Sequence, residues 1–130
     1  MTDATELDPE DAKIVTLARS AQQRAYAPYT GAAQGAAVRD TDGRTYAAAT
    51  VENTNSALTV SALHAAVVAA AASGARSFEA VAVVGEQWVK PPSVDGAVLV
   101  EFGADTVVLL AAEDGTLLRR TTAVELAGVV

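Results

Sequence analysis

The sequence predicts an α/β domain in which helices cover both faces of one sheet. Short apolar segments of strand length alternate along the chain with segments of helix length. The dipeptides Asp42-Gly43 and Asp114-Gly115 are typical of turns between neighbouring strands. An alanine-rich segment that stops at Ser73-Gly74 favours a helix packed closely against the sheet.

The helices are predicted from their start signals. Asp8 precedes Pro9, and Asp11 follows three residues later, which is typical of a helix N-terminus because an acceptor side chain, a proline and a carboxylate suit its first turn. This helix is predicted to run from residue 9 to about residue 26. The others are predicted from Thr59 or Ser61 to Ala72, from Asp95 to Phe102, and after Thr122, which forms a capping box with Glu125.

The strands are predicted from short runs that are rich in Ala, Val and Leu. They cover residues 35–38, 45–49, 81–84, 107–110 and 117–120. No internal repeat or linker interrupts this order. We therefore expect a single domain over residues 1–130, in which residues 1–7 form a flexible acidic N-terminus.

The composition excludes several classes of function. A net charge of −7 argues against a nucleic-acid partner, since binding to phosphates relies on clustered Lys and Arg. No apolar run approaches the roughly 18 residues of a membrane span, and no secretory signal is visible, so we expect a cytoplasmic protein without a membrane partner. The chain has no cysteine, which removes disulfides, thiolate nucleophiles and Cys-type zinc ligands together.

One stretch in the middle of the chain carries a specific resemblance. Residues 50–63 read Thr-Val-Glu-Asn-Thr-Asn-Ser-Ala-Leu-Thr-Val-Ser-Ala-Leu and resemble the cytidine deaminases, in which a Val-Glu-Asn turn leads through Leu-Thr into Cys-Ala-Glu. Four further segments resemble that family in the same order: Tyr-Ala-Pro-Tyr-Thr-Gly at 26–31 with Gly-Ala-Ala at 35–37, Asp-Gly-Arg at 42–44, Val-Leu-Val-Glu-Phe-Gly at 98–103, and Thr-Thr with Glu-Leu at 121–126. The resemblance implies a three-layer α/β/α sandwich on a mixed sheet of about five strands, usually assembled as a homotetramer.

The resemblance also places the family's zinc ligands on residues that have changed. In such enzymes a zinc ion ionises water, and a Glu that is not a ligand carries the proton. The alignment puts the first ligand at Ser61, the Glu at Leu63, and the paired cysteines at Pro92 and Asp95, with Ser93 as the alternative to Pro92. A neutral serine is a poor zinc ligand, proline has no donor, and leucine cannot move a proton. We therefore expect no metal, no other cofactor and no zinc-dependent deamination.

Part of a ribose-binding set remains. The resemblance puts Glu52 where the family's Glu binds ribose hydroxyls, whereas the companion Asn is replaced by Thr50. Together with Asn53 and Asn55, Glu52 could hold a polyol or a nucleoside. The alternative is that Glu52 and Asn53 only brace the turn before the second helix.

The single histidine suggests a different chemistry. Ser61 and His64 share a helix face, and the resemblance brings Asp95 to the same pocket, so the three residues could form a hydrolase triad. The alternatives are a histidine that merely packs in an alanine-rich helix and an Asp95 that caps its own helix. Trp88 could cover the pocket and stack on a planar ligand, or pack at a subunit contact.

Two classes of function follow. The first is a cytidine deaminase-like protein without zinc-dependent activity, which binds a nucleoside-like small molecule or acts as a structural or regulatory subunit. The second is a metal-independent cyclase, hydrolase or isomerase. Its catalytic candidates are Ser61, His64, Asp95 and Glu52, and the ligand-binding candidates are Glu52, Asn53, Asn55 and Trp88. We expect a homo-oligomer, tetramer or dimer, or a hetero-oligomer with an active relative.

Overall fold

Five strands and four α-helices make up the structure, a computed structural model that describes residues 7–85 and 92–128. In chain order the elements are α1 (Pro9–Gln22), β1 (Gly35–Asp40), β2 (Thr45–Ala49), a short 3₁₀ helix (Ser56–Leu58), α2 (Ala62–Ala72), β3 (Phe78–Val84), α3 (Pro92–Val100), β4 (Val107–Ala111), β5 (Leu117–Thr122) and α4 (Ala123–Ala127).

The strands form one mixed sheet in the order β2-β1-β3-β4-β5. Strands β3 and β4 run parallel, whereas the other three neighbouring pairs are antiparallel. The α3 segment lies between the two parallel strands in the sequence, as such a crossover requires. The mixed five-stranded sheet predicted from the sequence is therefore confirmed.

Apolar side chains are buried on both faces of this sheet. On one face α1 packs its fully buried Ile14 and Ala18 against β1, β3 and β4. On the other face α2, α3 and α4 bury Leu63, Leu99 and Leu126 against the same strands. One helix on one side and three on the other complete the expected α/β/α sandwich.

The predicted helix starts are confirmed where the signal is local. Asp8 accepts a hydrogen bond from the amide of Asp11 at 2.9 Å, and the side chain of Thr122 caps α4 by accepting one from the amide of Glu125 at 3.3 Å. The predicted end of α1 near residue 26 is wrong. The helix stops at Gln22, because Tyr26 is drawn into an extended bridge in which its amide donates to the carbonyl of Thr50 at 2.9 Å.

Helices α3 and α4 approach each other closely at Gly96. A Cβ atom at this position would lie 2.2 Å from the backbone nitrogen of Ala127, far inside van der Waals contact. The missing side chain is what allows the two helices to touch backbone to backbone. Among the helices of the two described ranges, none has the length and apolar character needed to cross a membrane.

Candidate functional site

The first helical turns of α2 and α3 meet at a buried hydrogen bond. The hydroxyl of Ser61 donates to Oδ1 of Asp95 at 2.6 Å, and the two residues are 3% and 1% exposed. The same hydroxyl oxygen accepts from the amide of His64 at 3.1 Å, so that Ser61 is also the N-cap of α2. We call the region of Ser61, Leu63 and Asp95 the α2–α3 junction.

The third residue of this junction is Leu63, which has a hydrocarbon side chain. Leu63 is fully buried and belongs to the core that α2 shares with β1, β3 and α3. The alanines of α2 have small side chains, so the helix lies close to the sheet. Leu63 is therefore buried in the core between α2 and the sheet. A hydrocarbon side chain at this point offers neither a proton carrier nor a metal donor.

Asp95 does not cap its helix, so that prediction is wrong. It is the fourth residue of α3, which starts at Pro92 rather than at Asp95. Proline suits the first helical position because its missing amide leaves no donor unpaired there. Asp95 lies within the first turn of α3, where a carboxylate is stabilised by the helix dipole, and its Oδ1 accepts a hydrogen bond from the Ser61 hydroxyl.

His64 does not complete a triad. Its backbone amide bonds to Ser61, but the imidazole makes no hydrogen bond to any residue within the described ranges, and the side chain is half-buried. The proton of the Ser61 hydroxyl points to a carboxylate rather than to a ring nitrogen. The structure therefore brings together two of the three predicted residues.

Glu52 is occupied by the chain itself. Its Oε1 accepts from the amides of Tyr29 and Thr30 at 2.9 and 3.1 Å, and its Oε2 accepts from the hydroxyl of Thr30. These hydrogen bonds lower the pKa of Glu52 below its ordinary value, chiefly through the Thr30 hydroxyl and further through the two amides, while desolvation acts in the opposite direction. We call Glu52 with Tyr29 and Thr30 the Glu52 loop.

The two asparagines also bond to nearby backbone. Oδ1 of Asn53 accepts from the amide of Asn55 at 2.9 Å, and Oδ1 of Asn55 accepts from the amide of Ala57 at 3.0 Å, which caps the short 3₁₀ helix. Both side chains lie at the surface. Thr50 is fully buried, where its hydroxyl oxygen accepts from the amide of Gln34 at 3.1 Å. These hydrogen bonds match the alternative that the sequence left open, in which the side chains brace the turn before the second helix.

Thr30 is the residue that sequence reasoning missed. Its hydroxyl donates to Glu52 and accepts from the amide of Ala32 at 3.0 Å, so it holds both sides of the loop. The signal was present in the segment Tyr-Ala-Pro-Tyr-Thr-Gly, because Thr30 keeps the hydroxyl of the Ser in the resembling family segment, and Gly31 follows with a φ of 74°.

The donors at the junction do not fit a zinc site. Ser61 and Asp95 offer one neutral hydroxyl and one carboxylate, Pro92 has no donor, and Ser93 is exposed. Within residues 7–85 and 92–128 no three His, Cys, Asp or Glu side chains cluster closely enough to hold a metal ion. Trp88 lies outside the described residues.

A groove of about 500 Å³ is present elsewhere on the surface. It is lined by Gln22, Gln23, Ala25, Ala33 and Glu113. None of the predicted site residues lines it. The polar side chains singled out from the sequence therefore do not converge on this groove.

Comparison with known proteins identifies the family. The family model described as "Cytidine deaminase-like" matches residues 7–115. A cytidine deaminase of Sporosarcina psychrophila is 35% identical over 92 residues, which cover 69% of this chain and 68% of the relative. The crystal structure of cytidine deaminase from Burkholderia pseudomallei aligns with a TM-score of 0.80 at 34% identity, over 88% of this chain and 93% of that one. The enzyme from Mycobacterium tuberculosis aligns with a TM-score of 0.75 at 29% identity, over 92% and 94% of the two chains. The chain belongs to the cytidine deaminase-like family.

Proposed function

We propose that this protein is a member of its family that does not deaminate cytidine through zinc and that acts as a structural or regulatory subunit. The α2–α3 junction carries the proposal. The positions that resemble metal ligands hold a serine and an aspartate bonded to each other at 2.6 Å, and the position that resembles the proton carrier holds a buried leucine. Among the described residues of the junction, no side chain suits water activation on zinc or proton transfer at the position of Leu63.

The Glu52 loop supports a scaffold over a nucleoside binder. The carboxylate of Glu52 accepts three hydrogen bonds from Tyr29 and Thr30, and its residue is only 4% exposed. Oε1 already accepts two hydrogen bonds and Oε2 one, so a ribose hydroxyl would have only the remaining acceptor site of Oε2. Because the residue is almost completely buried, that site is poorly accessible to a ligand unless the loop moves.

The rival hypothesis, a metal-independent enzyme, is less well supported because the Ser61 hydroxyl meets the buried carboxylate of Asp95 and not an imidazole. Serine is a nucleophile only when a neighbouring group takes its proton, and the usual group is an imidazole. The His64 ring makes no such bond within the part of the chain that the structure describes. The polar candidates instead divide between the junction and the turns that follow β2, which favours the non-catalytic role.

Exposed apolar side chains support assembly into an oligomer. Tyr26, Tyr29, Val51 and Leu58 are each more than half exposed. Tyr26 and Val51 are direct neighbours in a parallel bridge, and the hydroxyl of Tyr29 is hydrogen-bonded to the hydroxyl of Thr54 at 2.8 Å. Exposed apolar groups such as the Tyr26–Val51 pair favour contact with a partner, either another copy in a dimer or tetramer or an active relative.

The proposal is tested by assaying the purified protein with cytidine and deoxycytidine beside the Sporosarcina psychrophila enzyme. We expect no release of ammonia and no nucleoside product from this chain, and zinc well below one ion per chain by elemental analysis. Isothermal titration with cytidine and uridine should give no saturable heat. Light scattering should report an oligomer.

Each result has an opposite that overturns part of the proposal. Ammonia release would establish catalysis despite the junction, and stoichiometric zinc would establish a metal site that the proposal excludes. Saturable nucleoside binding without turnover would favour the binder over the subunit. A monomer that persists at all concentrations would remove the structural role.

A further inference from the structure

We propose that the Ser61–Asp95 hydrogen bond takes the place of a metal ion as the cross-link between α2 and α3. The inference goes beyond the proposed function, because it concerns what holds these helices together whether or not the protein has a partner or a ligand. It rests on the position, length and burial of one contact.

The contact joins parts of the chain that are far apart in sequence. Ser61 and Asp95 are separated by 34 positions, and each lies in the first turn or at the cap of its helix. Helix α3 packs mainly on α4, and its contact with α2 is slight by comparison. A bond at this point therefore ties the start of α3 to the start of α2, two helices that otherwise contact each other only slightly.

The length of the contact indicates a strong hydrogen bond. A separation of 2.6 Å lies in the range of O–H···O⁻ bonds, which are shorter and stronger than neutral ones. Both side chains are almost completely buried, so water does not compete for them. A buried carboxylate that lost this donor would be costly, and the cost of separating the pair is what gives the cross-link its strength.

One hydroxyl serves both helices. Ser61 accepts from the amide of His64 while it donates to Asp95, so the cap of α2 and the bond to α3 pass through the same oxygen atom. Each bond polarises the hydroxyl in the direction that favours the other. Replacement of Ser61 therefore loosens the start of α2 and removes a buried hydrogen-bond donor from the carboxylate of Asp95 in α3.

The positions still converge as metal ligands would, although their donors do not suit zinc. Two thiolates on one tetrahedral zinc ion lie about 3.8 Å apart, given Zn–S bonds of about 2.3 Å. The side chains of residues 61 and 95 already reach each other, and residue 92 lies on α3 three positions before residue 95, on the same face. Cysteines at 61, 92 and 95 should therefore recreate a zinc cross-link at this point.

A double-mutant cycle tests the cross-link directly. Ser61→Ala, Asp95→Ala and the double variant are melted thermally in the full chain. We expect the fall in Tm caused by Ser61→Ala to shrink by at least half once Asp95 is alanine. Asp8→Ala is the matched control, because Asp8 caps α1 through the amide of Asp11 alone, and its effect should be the same in both backgrounds. Additive effects of Ser61→Ala and Asp95→Ala would overturn the proposal.

Two further measurements keep the test decisive if an alanine variant fails to fold. Asp95→Asn keeps the volume and an acceptor oxygen, so the cycle can be repeated with it, and a smaller but non-zero coupling is expected. The variant Ser61→Cys/Pro92→Cys/Asp95→Cys should bind about one zinc per chain, and its Tm should rise with zinc and fall with a chelator, whereas the Tm of the natural sequence should respond to neither. A natural chain that melts earlier in chelator would show that a metal, not the hydrogen bond, forms the link. Deaminase assays are not involved, so failure here is distinct from failure of the proposed function.

Discussion

The α2–α3 junction and the Glu52 loop differ in what has changed. At the junction the residue types differ from the resembling family pattern, yet Ser61 and Asp95 still contact each other across two helices. In the Glu52 loop the glutamate has the family's residue type, and its carboxylate accepts three hydrogen bonds from Tyr29 and Thr30. In one region the residue types have changed and a contact joins the new ones, whereas in the other the residue type is kept and its carboxylate bonds within the chain.

This difference teaches that residue identity is a poor guide to the use of a side chain. Read from the sequence, Glu52 suggests a ribose contact and Ser61 suggests the nucleophile of a hydrolase triad. The partners within reach decide which role each residue has, and those partners are visible only in the folded chain. The three predictions below test the two regions in order of decreasing effect.

Leu63→Glu should have the largest effect, because it restores a carboxylate at a fully buried position of the junction without a cation beside it. An unpaired buried charge costs about 3–5 kcal/mol of the free energy of unfolding. We expect the variant to unfold at much lower urea concentration and to release no ammonia from cytidine. Leu63→Met is the control, and it should lose less than about 1.5 kcal/mol because it nearly conserves volume.

A stable Leu63→Glu variant would contradict the expectation that the α2–α3 junction cannot hold a buried carboxylate at residue 63. It would mean that this position has access to water or to an unrecognised cation. Turnover of cytidine by that variant would in addition mean that a single substitution separates this chain from an active enzyme.

Glu52→Gln should have an intermediate effect that depends on pH. The hydrogen bond from Thr30, supported by the amides of Tyr29 and Thr30, holds the folded-state pKa of Glu52 below the ordinary value of 4.5. The unfolded chain therefore takes up the proton first, so the stability from this carboxylate is fully present above about pH 4.5 and is lost as pH falls through the lower folded pKa. The difference in Tm between the natural chain and Glu52→Gln should shrink as pH falls through that window.

Two variants make this measurement specific. Thr30→Val removes the main cause of the lowered pKa and should move the loss of stability to higher pH. Glu101→Gln removes an exposed carboxylate that accepts no hydrogen bond from the described residues, and it serves as the control for a general change of net charge. A Tm difference for Glu52→Gln that stays constant over the acid range would mean that the loop does not hold the ionised carboxylate.

Asn55→Ala should have the smallest effect. The side chain caps an exposed 3₁₀ helix through one bond of 3.0 Å to Ala57, so its loss should cost about 0.5–1 kcal/mol in urea unfolding. Asn55→Asp and Asn55→Ser should recover most of that loss, because either side chain can accept the same bond. If Asn55→Ala instead leaves stability unchanged and abolishes binding of a nucleoside, Asn55 contacts a ligand and the Glu52 loop belongs to a binding site.

Local signals in the sequence predicted most of the fold. The caps at Asp8, Ser61 and Thr122 are formed by side chains bonding to amides three residues away, so their pattern is readable in a short window. The end of α1 was misjudged because it depends on a bridge between Tyr26 and Val51, which are distant in sequence. The predicted fold class is nevertheless confirmed, because the alternation of strands and helices does not depend on the exact end of any one helix.

The site was less predictable for a related reason. The resemblance places Ser61 and Asp95 in one pocket, but it carries no information about a hydrogen bond between them. The cap assigned to Asp95 was wrong because the start of α3 was placed three residues late, at Asp95 instead of Pro92. Thr30 was overlooked because a hydroxyl in a loop has many uses, and only its proximity to Glu52 selects one of them.

The backbone contact at Gly96 limits what mutation can recover in this chain. Any side chain there would collide with Ala127 of α4, so the residue next to Asp95 can change only if the terminal helix shifts first. A larger residue at 96 therefore needs a compensating change in the position of α4. A designer who wishes to rebuild chemistry between α2 and α3 should begin by redesigning α4.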